Sequence, residues 1–451
     1  MEKLRFYAAL IIAHFIYLGI KLLNKSSGTS FVGMSVLKIC PNFLQYCRQY
    51  IKDNGAITVT GTNGKTTTSG LLAHILEQAD KSVIHNVKGA NMLTGIANVF
   101  ALKVFPFKRF DYAVLESDEA YLTKLYDNFC ADNLIVTNLF RDQLDRYGEL
   151  STTASFIQNA IDKNKNLTLL LNADDPLVTN LSCSGNSTMY YGFEEVEICS
   201  DKHNAVSNAP TEVFNCICAK PLNYAKQFFA QEGHYQCFNC GYKRPEPDYK
   251  GYAKIYTDYT ELVVEEKFSG KKYKFKVNLV GLYNAYNALA SIAQSLKLGI
   301  EYETIKQAVL SYQSIFGRTE RRSINGHPTL IQLIKNPTGA SEVLKTVDLE
   351  SNIIVAINDN YADGRDISWL WDSDFEQLKN AKKLVITSGS RAKDMALRLK
   401  YAGIDQSRIT IEEDIKKAIE LATESEDIKE KLTILPSYTA LLKINKMKLK
   451  K

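Results

Sequence analysis

Residues 57 to 68 read Ile-Thr-Val-Thr-Gly-Thr-Asn-Gly-Lys-Thr-Thr-Thr, a β-branched run that enters a glycine turn and then a helix with an apolar face at Leu71, Leu72, Ile75 and Leu76. The arrangement suits a triphosphate. In the segment Gly61, Thr62, Asn63 and Gly64, the two glycines let backbone N–H groups close around phosphate oxygens. The first helical turn aims its unpaired donors and positive dipole end at the same anion. Lys65 adds a full positive charge, Thr66 can set a hydroxyl on Mg²⁺, and Thr67 extends the motif, so that ammonium and metal together bridge the β- and γ-phosphates of a nucleotide. Two residues separate the glycines where the general loop has four, which narrows the class.

A second pattern is Cys216-Ile-Cys218 followed by Cys237-Phe-Asn-Cys240. Two thiolate pairs flanking a short hairpin-like stretch assemble closed tetrahedral Zn²⁺ sites, which are structural because no coordination position is left for water. The first pair is C-x-C, and Asn215 stands where a second-spaced cysteine is usual, so the alternatives are zinc with adjusted geometry or free thiols. The other five cysteines, Cys40, Cys47, Cys130, Cys183 and Cys199, are scattered singly and read as reduced thiols of a cytosol.

What must position these groups is an α/β chain of two or three domains, because 451 residues exceed one compact core. Apolar runs at Ala56 to Thr60, Tyr112 to Leu115, Leu134 to Thr137 and Leu167 to Leu171 alternate with helical stretches, which predicts a parallel sheet with helices on both faces. Ligands then sit at the carboxyl ends of strands. Those ends carry Glu116, Asn138 and Asn172-Ala-Asp-Asp175. Residues 200 to 250 break the rhythm as an insertion. Strands then follow at Tyr252 to Tyr256, Thr260 to Glu265 and Tyr273 to Leu279, with a helix opened by Gly281-Leu-Tyr-Asn284. Beyond Phe316-Gly-Arg318 a second α/β alternation begins, with strands at Leu330 to Leu333, Ile353 to Ile357, Leu384 to Thr387 and Thr433 to Leu435. The expected division is a helical segment over 1–50, a nucleotide-binding α/β unit over 51–316 with its cysteine insertion near 210–245, and a separate C-terminal α/β unit over 317–451.

Lys plus Arg exceeds Asp plus Glu by 55 to 50 with the signs interspersed, which argues against a dedicated nucleic-acid binder. Phe6 to Ile20 is apolar apart from His14, with Lys3, Arg5, Lys21 and Lys25 at its flanks. It is marginal for a span and lacks a signal-cleavage site, so it reads as a docked amphipathic helix, with peripheral contact to an anionic membrane as the alternative. The expected location is cytoplasmic, with the inner membrane face as its variant.

Taken in order, G-T-N-G-K-T-T, Glu116, Asn138, N-A-D-D, G-L-Y-N-A-Y-N-A at 281–288 and F-G-R-T-E-R at 316–321 resemble the Mur ligase family. The cysteine insertion and the stretch N-D-N-Y-A-D-G-R-D-I-S-W at 358–369 resemble one group within it, the MurT group, synthetase-like subunits of lipid II isoglutaminyl synthase. Two departures from amino-acid-adding members fit that group. Asp142-Gln-Leu-Asp145-Arg-Tyr-Gly148 lacks both familiar histidines, and Lys335 in I-Q-L-I-K-N-P replaces another.

The resemblance implies a Mur-ligase-like ATPase core with an inserted zinc ribbon, followed by a Rossmann-like α/β unit. It implies that Asn284 and Asn287 lie against adenine, that Glu116 and Thr66 hold Mg²⁺, and that Arg318 reaches the nucleotide. It further implies amidation of the D-glutamate α-carboxylate of the lipid II stem peptide through an acyl phosphate. Ammonia would come from a glutaminase partner of the GatD type in a heterodimer, because no cysteine here sits on a recognisable nucleophile turn. Asp359, or in reserve Asp363, would complete the partner's triad. Taken singly, Asn284 also reads as a helix cap, Glu116 as a loop acid, Arg318 as a surface ion pair, and the two aspartates as turn formers. Rival readings are an amino-acid-adding Mur ligase or folylpolyglutamate-synthetase-like ligase, and a non-catalytic nucleotide-binding zinc-ribbon module.

Overall fold

The β-branched run of the phosphate-binding motif lies at the heart of a nine-stranded sheet, every residue of it buried. The computed structural model describes all residues except 1, 23–28, 87–89, 142–149, 200–212, 214, 257–258, 314–317, 426, 428–429 and 448–451, and leaves out the side chains of 29, 30, 183, 184, 318 and 319. The first eleven strands are β1 (Ala56–Thr60), β2 (Val83–His85), β3 (Tyr112–Glu116), β4 (Asn133–Val136), β5 (Thr168–Asn172), β6 (Thr188–Ile198), β7 (Asn223–Phe229), β8 (Glu232–Gln236), β9 (Tyr249–Ile255), β10 (Thr260–Glu266) and β11 (Lys272–Val277). The large sheet runs β11-β10-β9-β6-β5-β4-β1-β3-β2, while β7 and β8 form a separate antiparallel hairpin.

Strands β2, β3, β1, β4, β5, β6 and β9 are parallel, and β10 and β11 complete the edge in antiparallel pairing. Register then fixes the site. Val59 pairs with Glu116 and Thr60 with Val136, so the carboxyl ends of β1, β3 and β4 are side by side. The strand order reverses around β1, which is where crevices open in sheets of this kind. Leu71, Leu72, Ile75 and Leu76 of the helix Lys65–Gln78 are fully buried in one core with the helix Leu282–Lys297.

The remaining strands are β12 (Arg318–Ile324), β13 (His327–Gln332), β14 (Asn352–Ala356), β15 (Val385–Ser388), β16 (Ile409–Ile411) and β17 (Leu432–Pro436). They make a six-stranded sheet, β12-β13-β17-β14-β15-β16, parallel except for the β12–β13 hairpin. Four strands escape the sequence pattern. β2 and β16 are only three residues long, too short to show a period; β6 crowds its charges into Glu194-Glu-Val-Glu197, and β12, Arg-Thr-Glu-Arg-Arg-Ser-Ile, has a single apolar residue, so neither shows a period of two.

The N-terminal helix Glu2–Leu22 docks through Phe6, Ala9, Leu10 and Ala13. It is not amphipathic as the sequence suggested, because its outward side carries Leu4, Ile11, Phe15, Leu18 and Leu22. Both sides are apolar, so a single polar face never forms.

Candidate active site

The turn between β1 and the helix Lys65–Gln78 takes its shape from two glycines. Gly61 has φ +121°, and a Cβ there would come within 2.3 Å of Thr137 Oγ1; Gly64 has φ +86°, and a Cβ would meet Asn287 Oδ1 at 2.0 Å. Neither position accepts a side chain without displacing its neighbour. Asn138, after β4, braces the loop: its carbonyl accepts from the Thr62 N–H at 2.9 Å and its Oδ1 from the Asn63 N–H at 2.8 Å. Thr62 Oγ1 accepts from the Phe140 N–H at 3.0 Å. Thr66 and Thr67 occupy the first helical turn.

Lys65 is 8% exposed and donates to the Gly61 carbonyl at 2.6 Å and to Glu119 Oε1 and Oε2 at 3.0 and 3.2 Å. Burial opposes its charge, but the carboxylates of Glu119, Asp118 and Glu116 outweigh that and hold its pKa above the usual lysine value. Burial in turn pushes the Glu119 carboxyl upward. Glu119 went unnoticed in the sequence. Its only signal is the acidic run Glu116-Ser-Asp-Glu119 after a strand, which reads equally well as a helix start; Asp118 does cap that helix, accepting from the Ala120 N–H at 3.2 Å.

Glu116 is no solvated loop acid. It is 2% exposed; Oε1 accepts from Asn91 Nδ2 at 3.3 Å, while Oε2 is buried without a hydrogen-bond partner. A hard cation such as Mg²⁺ fits that orphaned oxygen, with Thr66 on the neighbouring helical turn.

The two asparagines divide. Asn287 reaches the loop, accepting from Thr68 Oγ1 at 3.3 Å, and lines the cleft; Asn284 is buried beside it, donating to the Val280 carbonyl at 2.8 Å and accepting from Asn287 Nδ2 at 3.4 Å. Asn284 is not the helix cap, a position held by Gly281. The N-A-D-D residues face inward and brace the fold. Asp175 caps the helix Pro176–Asn180, and Asp174 accepts from Arg244 at 2.6 Å, from Tyr286 at 2.7 Å and from the Phe193 N–H at 2.8 Å.

From the second sheet, the turn after β13 closes over the loop. Lys335 Nζ lies 3.4 Å from the Thr62 carbonyl, and Asn336 donates to Asn63 Oδ1 at 3.0 Å while capping the helix Pro337–Leu344 through the Gly339 N–H. The cavity left between the sheets is about 70 Å³, lined by Asn63, Asn138, Phe140, Tyr283, Asn287 and Lys335 among others. A bound ligand of drug size needs several hundred Å³. Arg318 begins β12, but its side chain lies outside the described residues, as do Asp142 to Gly148.

The four cysteines converge, their sulfurs all within 4.8 Å of one another, with Cys216 to Cys240 at 3.5 Å and Cys218 to Cys237 at 3.6 Å. A tetrahedron with ~2.3 Å zinc–sulfur bonds has edges of about 3.8 Å, so the set fits zinc. The C-x-C departure costs nothing in placement. Asn215 pairs with Pro221 and is exposed, while a tight turn from Cys216 to Lys220 with Ala219 at φ +61° brings Cys216 into the cluster. Hydrogen bonding, chiefly from the Lys220 N–H, draws the Cys218 thiol down, while burial pushes its neighbour Cys216 up.

After β14, Asp359 and Asp363 part company. Asp359 is partly exposed, accepts from Ser390 Oγ at 2.7 Å and pairs with Arg391 at 3.2 Å. Asp363 is 7% exposed and accepts from the Thr439 N–H at 2.7 Å, fastening the helix Tyr438–Lys446.

A glycine loop of short spacing after a central strand, a buried carboxylate beside it, an asparagine-bearing helix and a second α/β unit closing over them are the arrangement of a Mur ligase. The family model for the Mur ligase middle domain matches residues 59–295, and that for the MurT ligase C-terminal region matches residues 333–441. In fold, the chain is similar to a pseudomurein peptide ligase type C from Methanothermus fervidus, with a TM-score of 0.66 at 21% identity over 87% of this chain and 79% of that one. It is also similar to MurF from Acinetobacter baumannii, with a TM-score of 0.65 at 13% identity over 92% and 79%.

In sequence it is 34% identical to the lipid II isoglutaminyl synthase (glutamine-hydrolyzing) subunit MurT of Staphylococcus aureus strain COL, over 92% of this chain and 91% of that protein. It is 35% identical to the MurT of Streptococcus pneumoniae R6, over 93% and 92%. The chain belongs to the MurT family.

Proposed function

We propose that this chain is the synthetase subunit of a glutamine-hydrolysing amidotransferase that amidates the D-glutamate α-carboxylate of the lipid II stem peptide. The observation that carries the reading is identity above one third, across nine tenths of their length, to lipid II isoglutaminyl synthase (glutamine-hydrolyzing) subunits, joined to an intact Gly61–Thr67 loop and a buried Glu116. The amino-acid-adding alternative loses ground because Lys335 stands at the loop in place of a histidine.

A carboxylate is a poor electrophile, so it must first gain a leaving group. The carboxylate oxygen attacks the γ-phosphoryl of ATP, ADP departs, and ammonia then attacks the acyl carbon and expels phosphate. Lys65 leaves Glu119 for the phosphates, and Arg318 supplies a further positive charge. Glu116 and Thr66 would hold Mg²⁺, which supplies charge neutralisation at the transferring group. The Lys335–Thr62 and Asn336–Asn63 contacts set the C-terminal unit directly against the loop that would take the phosphates. Ammonia comes from a glutaminase subunit docked on the C-terminal unit, with Asp359 on its exposed edge orienting the partner's histidine.

Turnover tests the reading. With lipid II, the partner and glutamine, the reaction releases ADP and lowers the product mass by about one dalton per amidation, as –OH becomes –NH₂. ADP release driven by an added amino acid without any partner would instead support an ordinary ligase.

A further inference from the structure

The helix Glu2–Leu22 has two opposed apolar faces. Phe6, Ala9, Leu10 and Ala13 are at most 2% exposed, with the Phe6 ring against Phe43, Tyr46 and Tyr50. On the other side Leu4, Ile11, Phe15, Leu18 and Leu22 are 74, 47, 71, 53 and 86% exposed. Their spacings of seven, four, three and four residues make one stripe, about 27 Å long at ~1.5 Å per residue. The loop after Val104 widens it: Phe107 packs 5.4 Å from Tyr7 and Phe105 4.6 Å from His14, and both rings are themselves partly exposed. A contiguous patch of this kind marks an interaction surface.

Its border is cationic. Lys3, Arg5 and Lys21 lie on the helix, and Lys108 and Arg109 on the loop, whose residues 105–110 contain no acid. The helix has one acid, Glu2, and Tyr46 Oη donates to it at 2.8 Å. Exposed aliphatic and aromatic groups rimmed by lysine and arginine complement the surface of an anionic bilayer. The helix is long and apolar enough to cross a membrane. Crossing would strip Phe6 and Leu10 from the core, whereas lying in the plane of the surface keeps both apolar faces out of water.

We propose that this face docks the protein in-plane on an anionic phospholipid surface. The inference stands apart from the amidotransferase reading, since it rests on the helix and its rim alone.

Flotation of the full chain with vesicles of phosphatidylglycerol and phosphatidylcholine, against phosphatidylcholine alone, tests it. Recovery with the anionic vesicles is expected. The double variant Phe15→Ser/Leu18→Ser should partition roughly tenfold less, and Lys108→Gln/Arg109→Gln or added salt should weaken binding as well. Both apolar positions are exposed, so the double variant should keep the wild-type circular dichroism and unfolding temperature, which separates lost docking from lost folding. Wild type that stays with the soluble fraction, or a double variant that floats equally well, overturns the proposal. So does a lipid-free dimer in light scattering that the double variant splits, because the face would then belong to a second copy of the chain.

Discussion

The Lys65 ammonium and the Glu119 carboxylate form a buried ion pair, 3.0 Å apart, at the mouth of the phosphate loop. The pair lets a lysine that is 8% exposed keep its charge in the interior. An unpaired charge there would cost several kcal/mol.

Lys65→Met removes the loop's only full charge and should abolish heat of MgATP binding in titration calorimetry, along with ADP release. The fold should survive with a loss of about 1–3 kcal/mol, because burial already favours a proton on Glu119. Wild-type ATP affinity in this variant would remove Lys65 from the site.

Asp359→Asn should eliminate glutamine-driven amidation and keep activity on free ammonia, since the residue is half-exposed and its side chain meets Ser390 and Arg391. Asp363→Asn should instead cost stability, about 1 kcal/mol, through the weakened helix end at Thr439. Assays with the two nitrogen donors, alongside denaturant unfolding, separate the roles; equal loss of both activities in Asp359→Asn would put that residue in the synthetase site.

Metal analysis of the purified chain should find about one zinc atom. Cys218→Ser with Cys237→Ser should lose it and expose the β7–β8 hairpin to limited proteolysis. Tyr235 and Tyr242 hold the hairpin to Thr179, so the large sheet should still unfold cooperatively. A chain with four alkylatable thiols in the cluster and no metal would decide for free cysteines.

Glu232 sets a pH dependence. It is fully buried on the hairpin, with Oε1 on Asn172 at 2.9 Å and Oε2 unpartnered, and desolvation with the nearby charges of Asp175, Asp174 and Glu342 raises its pKa well above the usual value. The folded state therefore holds this proton more tightly than the unfolded chain. Its contribution is fully present below the ordinary glutamate pKa of about 4.3 and fades as pH rises toward the folded value. Glu232→Gln should raise the unfolding temperature at pH 8 relative to wild type, with the gap closing toward acid. A gap that widens on acidification would reverse the assignment.

The sequence by itself determined the local chemistry. Gly61 to Thr67 could be read as a phosphate loop, and the parallel sheet as its scaffold, because β-branched runs, glycine turns and apolar helix faces are set by residues within a few positions of one another. Four cysteines at ribbon spacing likewise announced a cluster before their sulfurs were placed. Glu119 and Asn91 carried no such mark, since acids and amides at strand ends and turns read the same whether they meet water or a buried partner. Asn284 and Asn287, alike in the string of letters, separate only when helix Leu282–Lys297 packs on the loop and turns one into the cleft and the other into the core. Asp359 and Asp363 divide for the same reason, as the helix Tyr438–Lys446 covers one of them. Tertiary structure decided these matters because burial and pairing depend on segments far apart in sequence, from 25 residues for Asn91 and Glu116 to 219 for Thr68 and Asn287, and a side chain's role follows from what closes over it.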